Sequence, residues 1–372
     1  MILWLLLLIF LLVASIAGVV YLTSRIRKFG FISKISKGSR KKEIILSIII
    51  CVVPVIVIGL MWGYMNAIIC LLHLIVFCIV IELIFNLVTK KRKFKRYYAG
   101  IITVVFTVVY LSAGWYLAHN VWQTDYTIKT DKKVGNIKVA VIADSHTGTT
   151  FHGEGFAKHL KEIEKQNPDV LLIVGDFVDD DTTKEDMISC CKALGNMKTT
   201  YGVYYVFGNH DKGYYSPEYR GYDGDDLVEQ LKANKVTVLQ DENILVDNRF
   251  YIIGRQDRSE EVEKKNGRKD MTQLVQGLDE SKFSIVMDHQ PCDYENQAKS
   301  GVDLVVSGHT HGGQLFPLMT IENLTKVADD RVYGYEKREN TNFVVTSGIS
   351  DWAIKFKTGC KSEYVIINIQ GK

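Results

Sequence analysis

The sequence predicts a chain of two parts: four transmembrane helices over residues 1–118 and an α/β domain over residues 137–372. Three observations predict this. The first part contains four long apolar runs, each long enough to cross a bilayer. In the second part, short β-branched runs alternate with amphipathic stretches, which is typical of an α/β domain. The charges are also divided unequally, because residues 1–118 carry 14 Lys/Arg and 2 acids whereas the remainder carries 31 and 40.

The first part is predicted to span the membrane four times. The first run has no positive charge before it and Arg25, Arg27 and Lys28 after it, which indicates a retained span rather than a cleaved signal peptide. The second run contains Pro54, a predicted kink. A tight turn at 63–66 joins the second run to the third. The four runs cover residues 2–22, 44–62, 67–88 and 98–118.

The orientation of these spans follows from their basic loops. Residues 23–42 carry eight Lys/Arg, and residues 90–96 carry six. The positive-inside rule places both loops in the cytoplasm. We therefore expect a multi-pass protein of the cell membrane, with the N-terminus and everything after residue 119 on the extracytoplasmic side.

Residues 119–372 are acidic, with nine more acids than Lys/Arg. This balance gives no basic surface for neutralising phosphate backbones, so nucleic-acid binding is not expected. Residues 119–136 are mostly polar and are predicted to be a linker or lead-in strand. The strands that follow are predicted at 139–143, 169–174, 203–207, 236–239, 250–253, 283–286, 304–306, 343–346 and 364–369, with helices at 155–166, 184–194 and 227–234.

A first candidate half-site for a metal ion lies at the end of the first of these strands. The apolar run Val139–Ala143 is followed at once by Asp144, Ser145 and His146. Alternate side chains of an extended chain point to the same side, so Asp144 and His146 are expected to project together. A carboxylate and an imidazole in this arrangement can hold a divalent cation.

Four further strand ends repeat this pattern. In α/β sheets ligands bind beyond the carboxyl ends of the strands, so polar residues there are expected to converge. Each residue alone has an ordinary explanation, as a turn residue or a surface histidine. Their recurrence, with a glycine before three of the sites, favours one metal site. The residues are Asp176, Asn209 with His210, His289, and His309 with His311.

The motifs D-x-H, GD, GNHD, H and GHTH, in this order, resemble those of the calcineurin-like metallophosphoesterase superfamily. The run GVDLVVSGHTHGGQ and the membrane context resemble in particular the YkuE/YaeI-type membrane-anchored phosphoesterases. The resemblance covers about residues 137–370. It implies a four-layer αββα sandwich, with two β-sheets between helices and a two-metal centre at the sheet edge.

The resemblance also implies a role for each site residue. Asp176 would bridge the two ions. His210 would lie against the substrate phosphate, where it would stabilise charge or protonate the leaving oxygen. The first ion would be held by Asp144, His146, Asp176 and His311, and the second by Asp176, Asn209, His289 and His309.

The residue types fit this reading, because mixed oxygen and imidazole donors suit Mn, Fe or Zn. The expected activity is metal-dependent hydrolysis of a phosphodiester, pyrophosphate or phosphate monoester by a metal-bridging hydroxide. The tethered domain suggests a lipid-linked or envelope-derived substrate. The alternative is a membrane receptor whose phosphoesterase domain has become a non-catalytic binding module. In the loop 212–226, Arg220 or Lys212 could meet a phosphate, or the loop could simply be exposed. The role of Arg255 is open.

Overall fold

The computed structural model describes residues 2–90, 92, 94–262, 267–326 and 329–372. It divides into a helical unit, Met1–Trp115 with Ala353–Lys355, and an α/β unit, Tyr116–Trp352 with Phe356–Lys372. Ala353–Lys355 belong to the helical unit through Asn66, whose amide nitrogen donates to Ala353 O at 2.8 Å and whose amide oxygen accepts from Lys355 N at 2.8 Å.

Five helices occupy the N-terminal part of the chain: α1 (Ile2–Ile26), α2 (Gly30–Ile35), α3 (Arg40–Trp62), α4 (Tyr64–Val88) and α5 (Tyr98–His119). Among the described residues, α3, α4 and α5 are long and apolar enough to cross a membrane. Within α1 the described apolar stretch Leu11–Ile26 is about 24 Å long, which is short of the ~30 Å hydrocarbon core. The structure thus supports three candidate spans, whereas four were expected. The side chains of the predicted span 2–22 lie partly outside the described residues.

The helices of this unit are tied together at Glu82, a buried acid of α4. Its carboxylate accepts hydrogen bonds from Lys28 at 2.8 Å and from Tyr97 at 2.5 Å. Arg25, in the last turn of α1, forms an ion pair with it at 2.9 Å. Because the buried carboxylate has several partners, it can join α1 and α4 without an unpaired charge.

The α/β unit contains two six-stranded mixed sheets. The first has the order β1-β12-β2-β3-β4-β5, in which only the β12–β2 pairing is antiparallel. Its strands are β1 (Val121–Lys129), β2 (Asn136–Ile142), β3 (Val170–Val174), β4 (Val203–Val206), β5 (Val236–Val238) and β12 (Ser362–Gln370).

The second sheet has the order β10-β11-β9-β8-β7-β6, with antiparallel pairs only at its two edges. Its strands are β6 (Glu242–Val246), β7 (Phe250–Gly254), β8 (Phe283–Met287), β9 (Leu304–Ser307), β10 (Gly334–Arg338) and β11 (Thr341–Val345). The connecting helices are α6 (Gly153–Glu164), α7 (Lys184–Gly195), α8 (Pro217–Arg220), α9 (Gly224–Ala233), α10 (Ser259–Val262), α11 (Met271–Val275), α12 (Tyr294–Lys299) and α13 (Leu318–Thr325).

Three buried apolar clusters hold these layers together. One joins the two sheets face to face, through residues such as Val141 of β2 and Ile252 of β7. A second joins the outer face of the first sheet to helices that include α6, for example through Phe156. The third joins the second sheet to α11 and α12, through residues such as Met271 and Tyr294. Helices therefore cover the outer faces of both sheets.

All nine runs predicted to be strands form strands, and β1, β6 and β10 were not foreseen as separate strands. These three lie at sheet edges and are largely exposed, so their sequences lack a continuous apolar run. Of the two alternatives for residues 119–136, a linker or a lead-in strand, the structure has a strand at Val121–Lys129, which pairs with β12 along its whole length. The α/β unit begins at Tyr116.

Candidate metal centre

All the side chains predicted for the site lie in loops that directly follow strands. Those after β2, β3 and β4 come from three adjacent parallel strands of the first sheet. Those after β8 and β9 come from two adjacent parallel strands of the second. Because parallel strands end at the same edge, the two sets converge. The residues are Asp144 and His146, Asp176, Asn209 and His210, His289, and His309 and His311.

The backbone of these loops is unusual, since five of the site residues have positive φ angles although none is glycine. Such conformations cost of order 1 kcal/mol each and cluster at functional sites. The adjoining glycines permit very close packing: a Cβ on Gly208 would lie 2.2 Å from Asp176 Oδ1, and one on Gly308 would lie 2.6 Å from Asp144 Oδ2. The five residues are Asp144, His146, Asp176, His309 and His311.

Two groups of side chains could each hold a metal ion. In the first group, Asp144, His146 and His311, the ligand atoms lie within 4.8 Å of one another. The second group, Asp176, His289 and His309, meets the same limit. Asp176 Oδ2 lies 3.1 Å from His289 Nε2 and 3.7 Å from His146 Nε2, so this carboxylate reaches both groups.

Among the described residues at this edge, His146 Nε2 and Asn209 Oδ1 are buried polar atoms without a hydrogen-bond partner, and His289 Nε2 faces the Asp176 carboxylate at 3.1 Å. The other polar atom of each side chain is held. His146 Nδ1 lies 3.1 Å from Asp179 Oδ2, His289 Nδ1 lies 2.8 Å from the carbonyl oxygen of Val174, and Asn209 Nδ2 donates to Tyr214 Oη at 2.9 Å. Buried polar atoms are normally paired, and metal ligands are normally oriented by such outer partners. The donor set therefore fits divalent cations.

The charges of the site are also unbalanced without a cation. Burial raises the pKa of Asp144 to about 6, and the nearby Asp176 carboxylate adds to this. Burial lowers the pKa of His309 to about 4, helped by positive charge on His289. Burial opposes the charged form of His146, but the hydrogen bond to Asp179 and the negative charges of Asp176, Asp179 and Asp144 together outweigh it and raise the pKa to about 9. A divalent cation would stabilise the ionised carboxylates and favour neutral imidazoles.

Residues 137–313 match the family described as calcineurin-like phosphoesterase. The chain carries a calcineurin-like metallophosphoesterase domain. It is 29% identical over 302 residues to an uncharacterized metallophosphoesterase of Campylobacter jejuni, covering 78% of this chain and 76% of the relative. An uncharacterized metallophosphoesterase of Helicobacter pylori is 29% identical over 249 residues, or 66% of this chain and 62% of the relative. A transmembrane protein with metallophosphoesterase domain from Danio rerio is 27% identical over 244 residues, covering 63% of this chain and 53% of the relative.

Two aspartates of the metallophosphoesterase domain support the site and were not foreseen as site residues. Asp179 is the buried partner of His146. Asp211, the last residue of GNHD, accepts hydrogen bonds from the backbone N–H groups of Asp176, Phe177, Val178 and Gly208 at 2.6–3.0 Å. It thereby fixes the loop after β3 against the loop after β4. The GNHD motif contained a signal for Asp211, whereas nothing in the local sequence marks Asp179.

Arg220 and Lys212, for which a phosphate contact and an exposed loop were both open, have partners within the protein. Arg220 is buried and donates to the carbonyl oxygens of Tyr222, Asp179 and Asp211. Lys212 forms an ion pair with Glu260 at 2.7 Å. Arg220 therefore stabilises its loop from inside.

Arg255 is also buried, with its guanidinium 3.1 Å from Asp288 and 2.8 Å from Asp293. Asp288 precedes His289 and also pairs with Arg268 at 3.2 Å. These paired charges therefore fix the loop that carries His289.

His210 lies beside the two ligand groups and belongs to neither. Its backbone N–H donates to Asp176 Oδ1 at 2.9 Å. Its half-buried ring has its centroid 5.1 Å from those of His146 and Tyr214 and 5.8 Å from that of Trp352. Burial lowers the pKa of this imidazole. The ring thus stands at the open side of the site, between the ligands and exposed aromatic side chains.

Proposed function

We propose that this protein is a membrane-anchored, metal-dependent phosphohydrolase that cleaves phosphodiester, pyrophosphate or phosphate monoester bonds with a hydroxide nucleophile. The observation that carries the proposal is the pair of ligand groups joined by the Asp176 carboxylate, with unpartnered imidazole and amide atoms at the same edge. Two divalent ions bound there would polarise the phosphate and activate a water molecule.

The proposed ligands follow from the available atoms. The first ion would use Asp144, His146, Asp176 and His311, and the second Asp176, Asn209, His289 and His309. In His146 and His289, Nε2 is the ring nitrogen that faces the site, because Nδ1 is held on the other side. Mixed carboxylate, amide and imidazole donors favour Mn, Fe or Zn over Mg or Ca.

We assign His210 to the substrate rather than to a metal. Its backbone bond to Asp176 fixes its loop next to the shared carboxylate. From this position the imidazole can hydrogen-bond a phosphoryl oxygen and give a proton to the leaving oxygen. Tyr214 and Trp352, beside the His210 ring, are exposed to solvent, so the alcohol or phosphate product can depart past them.

The proposal includes a membrane location. It is supported by α3, α4 and α5, which are long and apolar enough to span, and by relatives named as transmembrane proteins. We infer that α1 provides a fourth span and that the basic segments 23–42 and 90–96 are cytoplasmic. The domain would then act on the extracytoplasmic side, on a lipid-linked or envelope-derived phosphate ester rather than on nucleic acid.

The finer fold assignment, a four-layer αββα sandwich, belongs to the same proposal. It is supported by the three apolar clusters, one between the sheets and one on the outer face of each. The site would lie at the edge of the two inner layers, where the loops after β2, β3, β4, β8 and β9 converge.

The test is hydrolysis of bis-para-nitrophenyl phosphate with Mn²⁺ by the full chain and by two variants, Asp176→Asn and His210→Ala. We expect turnover by the unsubstituted protein, a near-complete loss in Asp176→Asn, and a large loss with metal still bound in His210→Ala. Equal rates in all three proteins would contradict the enzymatic assignment and favour the non-catalytic binding module.

A further inference from the structure

An exposed apolar surface directly follows the metal-ligand loop of His309 and His311. It consists of Phe316 and three residues of α13, Leu318, Ile321 and Leu324, and is called the apolar ridge below. Their exposed fractions are 60%, 46%, 48% and 80%. Single exposed apolar residues are ordinary, but a contiguous group of four large ones marks an interaction surface.

The side of α13 that carries the ridge is the outer one. At 100° per residue, Leu318, Ile321 and Leu324 lie within one 120° arc of the helix. Met319, Glu322 and Asn323 lie on the other side and are half-buried. A surface helix of a soluble domain normally turns its apolar side inward. In α13 the apolar side faces outward, as in helices that lie on a lipid surface.

The ridge lies near the corner of the α/β unit at which the candidate span α5 ends. Ser362, the first residue of β12, donates its hydroxyl hydrogen to the carbonyl oxygen of Ala118 in the last turn of α5 at 2.7 Å. Strand β1 begins two residues after α5, and its Val121 pairs with Ser362. Since α5 is apolar enough to span, the proposed membrane location would put this corner at the membrane surface.

A short segment connects that corner to the ridge. Thr358 donates its N–H to the carbonyl oxygen of Gln314 at 2.8 Å and accepts from Phe316 N–H at 3.0 Å. Cys360 donates to the carbonyl oxygen of His311 at 3.1 Å. Thr358 is four residues from Ser362, which is at most about 14 Å of extended chain. The ridge, the metal-ligand loop and the end of α5 are therefore held close together within one unit.

The side chains at this corner suit a lipid headgroup region. Tyr116 and Trp122 form an edge-to-face pair with ring centroids 6.2 Å apart, and both are exposed. Lys361 lies over the Trp122 ring at 5.6 Å. Interfacial membrane anchors have this combination of amphipathic aromatic rings and basic groups. A lipid surface explains the corner and the ridge together.

We propose that the apolar ridge inserts into the lipid interface next to the end of α5 and holds the mouth of the metal centre at headgroup level. If the proposed function is correct, the favoured substrates are phosphate esters of membrane lipids, whose headgroup would reach the metals while the acyl chains stay in the bilayer. The occupant of the ridge is the bilayer and not a second copy of the chain, because α5 already brings this corner to the membrane.

The test of insertion uses the full chain in phosphatidylcholine vesicles with brominated acyl chains. An environment-sensitive fluorophore is attached at Leu324→Cys, and the matched control is Glu229→Cys on α9. Glu229 is exposed, and α9 leads into β5, at the sheet edge opposite β1. Labelling of the unsubstituted chain measures the background from its own cysteines.

We expect the fluorophore at Leu324→Cys to be quenched by the brominated lipid and the one at Glu229→Cys to be unaffected. Equal quenching at both positions, or none at Leu324→Cys, would overturn the proposal. Shielding from water without quenching would show that a second copy covers the ridge, and would overturn it equally.

The functional test compares the unsubstituted chain with Ile321→Gln/Leu324→Gln on two substrates, soluble bis-para-nitrophenyl phosphate and phosphatidic acid in vesicles. We expect an unchanged rate on the soluble ester and about a tenfold loss on the lipid. Equal losses of rate on the two substrates in the double variant would show a merely structural role for the ridge and would overturn the proposal. If the unsubstituted chain hydrolyses only the soluble ester, the proposed substrate class is overturned. If neither substrate is hydrolysed, the proposed function is contradicted. The quenching result would still decide insertion.

Discussion

The two ligand groups of the metal centre differ in what holds them. In the first, Asp144, His146 and His311, the ring of His146 is oriented by the buried carboxylate of Asp179. In the second, the corresponding ring of His289 is oriented by a backbone carbonyl oxygen. The amide of Asn209, next to the second group, is held by the hydroxyl group of a half-exposed tyrosine, Tyr214.

If each group binds an ion as proposed, this difference predicts that the two ions are bound with unequal strength. A carboxylate behind a histidine increases the basicity of the ring and fixes its orientation. A tyrosine in an exposed loop fixes its partner less firmly, because loops move more than the buried strands they connect. We therefore expect the first site to hold its ion more tightly than the second.

The largest effect is expected at Asp176, because its carboxylate reaches both ligand groups. Asp176→Asn removes one negative charge from both groups at once, so both metals should bind poorly. We expect a loss of activity of more than about 100-fold, beyond the range for outer partners of metal ligands. The measurement is kcat with saturating Mn²⁺, together with metal content.

Its matched control is Asp225→Asn, an exposed aspartate on α9. This variant should keep both the activity and the metal content of the unsubstituted chain. A metal content in Asp176→Asn equal to that of the control would contradict the shared role of Asp176.

A smaller effect, confined to the first site, is expected for Asp179→Asn. The amide can still accept a hydrogen bond from His146, but the negative charge behind the ring is lost. Affinity for the more tightly held ion should fall about 10- to 100-fold. Competition with a chelator measures this loss, and Asp181→Asn, an exposed neighbour, is the control. Unchanged affinity would show that the carboxylate does not support the site.

The smallest effect is expected for Tyr214→Phe, which removes the partner of the Asn209 amide. One hydrogen bond contributes roughly 1 kcal/mol, so affinity at the second site should fall about fivefold. The adjacent Tyr215→Phe, whose ring contacts Tyr219, is the control and should change nothing. Rescue of Tyr214→Phe by excess Mn²⁺ would place the effect at the metal, whereas a loss that excess metal does not restore would contradict this reading.

Much of the fold could be predicted because buried strands leave a strong signal in sequence. The runs at β2, β3 and β4 are continuous and apolar since both of their faces are covered. The edge strands β1 and β10 alternate between half-buried and exposed residues and contain few long apolar runs, so their sequences resemble loops. The partner of β1 is β12, which lies far along the chain, so local patterns do not reveal this pairing.

The candidate site shows the same limit. The residues that follow strands, such as Asp144 and His309, could be placed together because strand ends converge. Asp179 and Tyr214 reach the site because of the way their loops fold, and no pattern in the sequence marks their positions. The burial of Arg220 could not be predicted either, because a charged residue in a polar loop gives no sign from sequence that its side chain is buried.

Metal titration of the metal-free full chain tests the central claim most directly. Calorimetry with Mn²⁺ should resolve two classes of site per chain, with the tighter class weakened by Asp179→Asn and the weaker class by Tyr214→Phe. A single class of site, or two substitutions that act on the same class, would contradict an unequal pair of metal sites joined by Asp176.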